Sequence, residues 1–134
     1  MEIRDIRESE LEAARRLLCA AGWTDSVANP VEFRELVSRS SRSIVALENG
    51  EVIGFLRALT DGMSNGYISM VVVAENHRRK GVGRALVESV MGSNRNMTWV
   101  LRAGPDDIAE FYEKIGFVRS QGAMERVRAK SADA

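Results

Sequence analysis

The chain has 134 residues, 45% apolar and 28% charged, which is enough for one globular domain around a single core. Lysine plus arginine and aspartate plus glutamate number 19 each, so no global field favours DNA, RNA or an anionic membrane as partner. The single cysteine, Cys19, excludes an internal disulfide framework. No apolar run is long enough to span a bilayer or act as an N-terminal secretion signal, so a soluble, cytoplasmic protein is expected.

Met1 to Ile6 reads as a short strand. Ser9 is then placed to cap a helix whose apolar residues Leu11, Ala14, Leu17, Leu18 and Ala21 recur at helical spacing, and Gly22 stops it. Cys19 falls on the apolar side of this helix and is expected as a buried structural thiol rather than a nucleophile. Asn29-Pro30 opens a second helix through Phe33, Leu36 and Val37, and "SRSSRS" follows as a loop. "SIVALENGEVIGFLRAL" is two β-rich runs around Asn49-Gly50, a pair that tolerates positive φ at both positions, so a hairpin with a tight primed turn is expected. Asp61-Gly62 and Asn65-Gly66 break the chain. "YISMVVV" is then a strand so apolar toward its end that both faces should be buried.

From Gly81 the period lengthens, with Val82, Leu86 and Val90 on one helical face. "MTWVLRA" is a further strand, and Asp106 or Asp107 can cap the helix "DIAEFYEKI", which Gly116 ends where positive φ is needed. "FVRS" and "AMERVRA" read as a last pair of strands, and 129–134 as a polar tail. The order is β-α-α-β-β-β-α-β-α-β-β, an α/β chain of the α+β type with no repeat or linker. Residues 1–134 are therefore expected to form one domain.

"NHRRKGVGRAL", residues 76–86, carries the chemistry. A nucleoside-triphosphate loop needs glycines five residues apart followed by Lys and Ser or Thr, and a dinucleotide fingerprint needs a third glycine where Leu86 stands, so both fail on spacing. What remains is a strand, a cationic loop and a helix that begins on two glycines. Backbone N–H groups of a first helical turn, with Arg78, Arg79, Lys80 and Arg84 beside them, suit a pyrophosphate. The plainer alternative is a solvated loop followed by a helix cap. His77 has no Cys, His or carboxylate cluster at ligand spacing, so no metal site is expected.

The pattern Arg78-Arg79-Lys80-Gly81-Val82-Gly83, preceded by the apolar strand "SMVVV" and followed by "EFYEKIGF" at 110–117, resembles the GNAT superfamily of acetyl-coenzyme-A-dependent N-acetyltransferases over essentially the whole chain. The resemblance implies the acyl-CoA N-acyltransferase fold, with a mixed, mostly antiparallel sheet between helices. It implies acetyl-CoA as co-substrate and direct attack by an amine in a ternary complex, without an acyl-cysteine. Val71 and Val73 would pair with the pantetheine arm through their backbones, and a donor at Val72 or Val73 would steady an oxyanion. Residues Arg78, Arg79, Lys80, Gly81, Val82, Gly83 and Arg84 would seat the pyrophosphate. Tyr112 would protonate the leaving thiolate, Phe111 would pack below it, and Lys114 would approach the phosphates.

The general base corresponds to Tyr67 and Ser69, neither a good base alone, so a water relay is expected, with Asp61 and Glu75 the nearest carboxylates in sequence. One position departs from the family pattern: Pro105 stands where many relatives have an asparagine that bonds the cofactor. The likeness of "RALTDGMSNGYISMVVV" to relatives that acetylate arylalkylamines or lysines implies a primary amine acceptor, either a small molecule or a peptide, and small members of this kind are often homodimers. Trp23 and Trp99 are expected as packing residues, although relatives often line their acceptor pocket near the position of Trp23. A different class of reading is an idle acyl-CoA-binding or protein-interaction module with the same fold, which Pro105 and the missing base favour. A nucleic-acid binder resting on "HRRK" is opposed by zero net charge and only 6% aromatic residues.

Overall fold

The hairpin forms where the sequence places it. In a computed structural model that describes residues 1–129, Arg42–Glu48 (β2) and Glu51–Thr60 (β3) pair antiparallel across Asn49 and Gly50, whose φ values are 51° and 79°. Glu2–Asp5 (β1) adds to β2, and Asn65–Val73 (β4) adds to β3, both antiparallel. Thr98–Leu101 (β5) joins β4 in parallel, completing a five-stranded mixed sheet in the order β1-β2-β3-β4-β5.

Leu11–Ala20 (α1) and Pro30–Ser38 (α2) cover one face of the sheet. Ala14, Leu18 and Phe33 meet Val45, Phe55, Met70 and Val72 there, and a fully buried side chain of this size contributes about 1.5–3 kcal/mol. Asn29 caps α2 by accepting from the N–H groups of Val31 and Glu32, with Pro30 in the first turn where its missing N–H costs nothing. The other face is covered by Val82–Met91 (α3), which buries Val82, Leu86, Val87 and Val90. Its approach is so close that a Cβ on Gly54 of β3 would lie 3.0 Å from Leu86 and 3.2 Å from Val82.

The contacts divide the chain between Arg102 and Ala103 into two compact units. The second contains Asp106–Glu113 (α4), after which Gly116 takes the positive φ of 105° that its type predicts.

Several expectations need correction. The helix α1 begins after a 3-10 turn at Glu8–Glu10 that contains Ser9; Glu10 stands at the N-cap of α1 with no side-chain bond into that helix, and its carboxylate accepts instead from the Arg7 N–H at the start of the turn and, through both oxygens, from Arg4. Cys19 is exposed, because the buried stripe of α1 runs through Ala14 and Leu18 and Cys19 lies a step around the helix from it. Pro105, not an aspartate, occupies the N-cap of α4, and Asp106 instead faces Arg119.

The last two strands of the expected order are not formed. Residues 117–129 carry no strand, and Val118, Met124 and Val127 are 85%, 95% and 76% exposed. Alternating apolar residues propose a face to bury, but a strand also needs a neighbouring edge to satisfy its backbone, which local pattern does not supply. The expected polar tail lies, beyond Ala129, outside the described residues.

Candidate functional site

Strand β4 is where the sheet changes character. Toward its end Met70 and Val72, on the α1–α2 face, are buried while Val71 and Val73 are half-buried, so the expectation of two buried faces there holds for one; nearer its start Gly66 and Ile68 are buried, and Tyr67 and Ser69 are half-buried. Its pairing with β5 runs from Asn65↔Thr98 to Ile68↔Leu101 and stops there. Beyond Ile68 no strand pairs with that edge of β4 among the described residues.

The backbone direction of each residue on that edge follows from one bond. Ala74 N–H donates to the Ile53 carbonyl at 2.8 Å, so Ala74 faces β3. Backbone groups alternate along a strand, hence Val72 also spends its N–H and C=O on β3, and Val71 and Val73 turn theirs to the edge that β5 has left. Of the two donors considered from sequence, Val73 is therefore the one that offers an N–H, and Val72 offers only a buried side chain. The Val73 carbonyl accepts from Arg78 Nε at 3.1 Å, which ties the first arginine of the loop to the strand before it.

A β-bulge marks the same point. Ala58 pairs with Ile68 and Arg57 with Met70, which leaves Ser69 as the extra residue. The bulge brings the side chains of Tyr67 and Ser69 onto the α1–α2 face together with Arg57, whose Nη1 donates to Ser69 Oγ at 2.7 Å. Tyr67 Oη accepts from Arg102 Nε and Nη2 at 3.2 and 3.0 Å, with the guanidinium carbon 5.9 Å from the ring centroid. Both expected relay hydroxyls thus accept from guanidinium groups, which leaves their own protons to give and makes them poor proton acceptors.

The carboxylates are no closer to the role. Asp61 builds its own turn, and the Ser64 hydroxyl, with the N–H groups of Ser64, Met63 and Asn65, holds its carboxyl far below the usual carboxylate range. A carboxylate so well satisfied is a weak base. Glu75 sits in a 3-10 turn, Glu75–His77, between β4 and the glycine loop.

The loop that follows is shaped for close backbone approach. Arg79 has φ 64° and Gly81 φ 84°, and Gly81 is the N-cap of α3, with no side chain bonding into the cap. Ala85 N–H closes the first helical bond onto the Gly81 carbonyl, so the N–H groups of Val82, Gly83 and Arg84 precede the helical ladder. The Arg84 side chain runs along the helix to Glu88, so its contribution here is its backbone. Arg79 and Lys80 are exposed.

In the second unit Tyr112 is buried, with Phe111 and Phe117 packed edge-on at 5.0 and 5.5 Å between ring centroids. Burial pushes its phenol above the ordinary value. Lys114 is exposed at the end of α4.

Sequence reasoning passed over Arg57 and Arg102. The signal for Arg57 was present: a lone charge in the otherwise apolar run "IGFLRAL". A shallow hollow at the starts of α1 and α2, lined by Glu8, Glu12, Arg15, Phe33 and Arg34 among others, includes no residue of β4 or of the glycine loop. No group of three or more His, Cys, Asp or Glu suited to a metal occurs among the described residues, and no helix there is long and apolar enough to cross a membrane.

Residues 39–119, more than half of the chain, match the acetyltransferase (GNAT) domain model. The chain is 30% identical over 131 residues to the PanD regulatory factor of Salmonella typhimurium, covering 94% of this chain and 99% of that one. It is 28% identical over 124 residues to the uncharacterized N-acetyltransferase ycf52 of Pyropia yezoensis, covering 87% and 67%. A GNAT-family acetyltransferase from Streptococcus pneumoniae superposes with a TM-score of 0.77 at 23% identity, covering 97% and 96%, a likeness that speaks for the fold. With a mixed sheet in which the β4–β5 pairing stops at Ile68, a glycine-led helix that follows β4 through a short turn and loop, and a domain match spanning both, the chain belongs to the GNAT acetyltransferase family.

Proposed function

We propose that the protein is an acetyl-CoA-dependent N-acetyltransferase that moves an acetyl group to a primary amine by direct attack in a ternary complex. The observation that carries this reading is the edge of β4 beyond Ile68, where Val71 and Val73 present backbone groups with no strand opposite among the described residues, followed through a short turn and loop by the start of α3, which no side chain caps. An extended amide-bearing arm fits such an edge as another strand would, and an anion fits the helix start. Acetyl-CoA has both parts, and when bound it supplies an activated acyl thioester.

The chain's residues take these roles. Val71 and Val73 hold the arm by main-chain bonds. The N–H groups at Val82, Gly83 and Arg84, with Arg78, Arg79 and Lys80 around them, seat the pyrophosphate. The Val73 N–H favours negative charge on the acyl oxygen. Tyr112, kept protonated by burial, donates a hydrogen bond to the departing thiolate, and burial, by raising its phenol from the ordinary value, favours that bond over full proton transfer. Phe111 supports Tyr112, and Lys114 adds a positive charge for phosphate. Tyr67 and Ser69 orient water that carries the amine's proton away rather than taking that proton themselves.

A second reading, an acyl-CoA-binding regulator that acts by contacting another protein, is favoured by the 30% identity to a PanD regulatory factor across nearly its full length, and by the lack of a ready base. Thermal denaturation with acetyl-CoA tests what the two readings share. At ligand one hundred times its Kd, stabilisation of about 2.7 kcal/mol is expected, visible as a rise of several degrees in Tm. No rise at millimolar acetyl-CoA would remove both readings, whereas a rise without amine-dependent thiol release would favour the regulator.

A further inference from the structure

We propose that Arg57 is the anchor for a carboxylate on the acceptor, so that the acceptors are amino acids rather than polycationic amines. The proposal rests on the acetyltransferase reading for the identity of the site and adds the substrate class.

Arg57 is half-buried on the α1–α2 face of β3, next to the bulge where β4 parts from β5. Its Nε donates to Ser40 Oγ at 2.7 Å and its Nη1 to Ser69 Oγ at 2.7 Å, both neutral hydroxyls. No carboxylate among the described residues pairs with it, although the other half-buried arginines among them, Arg4, Arg15 and Arg42, face Glu10, Glu12 and Asp5. Among the described residues Nη2 makes no hydrogen bond, and it is not sealed from solvent. Burial lowers this guanidinium from its ordinary value. A half-buried cation without a counter-ion is costly, and a bound anion offsets that cost.

The neighbouring groups suit a carboxylate in particular. One remaining N–H of Nη1 and one of Nη2 form the end-on fork that matches its two oxygens. Leu59, Tyr67 and Val100 lie in one row across β3, β4 and β5, with Leu59 and Val100 38% and 45% exposed, an apolar wall for a side chain. A polycation would meet Arg57 as a like charge.

The test compares acceptors that differ only in the carboxylate. The chain, with coenzyme A present in excess, is titrated calorimetrically with L-alanine, L-leucine and L-lysine and with ethylamine, isoamylamine and cadaverine. Each amino acid is expected to bind at least about tenfold more tightly than its partner, as one charge-assisted hydrogen bond allows. That preference is expected to vanish in Arg57→Gln and to survive in part in Arg57→Lys, with stabilisation by acetyl-CoA unchanged in both. Equal binding within the pairs, or a preference that persists in Arg57→Gln, overturns the proposal. If the glutamine variant does not fold, Arg57→Lys decides alone, a lowered preference supporting the proposal and an unchanged one overturning it. Thiol release from acetyl-CoA, recorded on the same pairs, separates the two claims. Turnover that favours the amines lacking a carboxylate overturns the anchor and keeps the acetyltransferase, whereas carboxylate-dependent binding without thiol release keeps the anchor and removes the acetyltransferase.

Discussion

Gly66 of β4 lies beneath the indole of Trp99, whose ring carbons come within 2.3 Å of where a Cβ would stand. Sequence marked Asn65-Gly66 as a chain break, yet the glycine is required inside the strand by a neighbour that local pattern does not reveal. Gly66→Ala should therefore lower stability by about 1–3 kcal/mol, read from the urea midpoint, and an unchanged midpoint would contradict this packing. Tyr112 belongs to the chemistry instead. Tyr112→Phe keeps the ring packed between Phe111 and Phe117 while losing the donor, so turnover should fall about ten- to a hundredfold with acetyl-CoA affinity unchanged. Equal turnover would remove the hydroxyl from the mechanism. Cys19 shows the limit of reading residues singly: its helix and period were foreseen, but one residue of rotation separates a buried stripe from an exposed flank.

At the level of elements, the parts that sequence announced are those with local determinants. Asn49-Gly50 sets its hairpin by φ alone, Asn29-Pro30 caps and starts α2, and the stripe of Val82, Leu86 and Val90 fixes the face of α3. The bulge at Ser69 had no such announcement, since its cause is the mismatch between β3 and β4, two strands with independent registers. The absent terminal strands failed for a related reason, as pairing depends on an edge and not on alternation. For the phosphate seat, Gly81 is in the left-handed region, so Gly81→Val costs backbone strain of about 1–3 kcal/mol, while its Cβ stands in open space with nothing beyond its chain neighbours within 4 Å. The expected outcome is a folded protein with markedly weaker acetyl-CoA binding, and full affinity would count against this helix start as the seat. The turn before α1 carries a pH signature. Arg4 holds the Glu10 carboxyl below its usual range, so the stability it contributes is complete above about pH 4.3 and is lost as pH falls through the lowered folded value. Glu10→Gln should cost about 1–3 kcal/mol at pH 7, and its gap to the wild type in urea unfolding should narrow below about pH 4.3. A gap independent of pH would show that the ion pair contributes nothing.

Across the whole molecule, the balance of charge leaves recognition to local sites. With 19 positive and 19 negative residues, the cations that matter are those the fold gathers, around the start of α3 and at Arg57 on the α1–α2 face of β3. The family was readable because its two motifs are short and contiguous, Arg78 to Gly83 and "EFYEKIGF". The proposed acceptor face was readable only in part: Tyr67 and Ser69 precede the glycine loop on one strand, whereas Arg57 lies on β3 and only the folded sheet brings it beside them. Acetyl transfer is the claim on which the rest depends. Its most direct measurement is release of free thiol from acetyl-CoA by the wild-type chain over a panel of amines, amino acids, aminoglycosides and basic peptides. The account predicts release that depends on the amine, saturates with it and is greatest for amino acids. No release above buffer with any acceptor, at an acetyl-CoA concentration that raises the Tm, would contradict it.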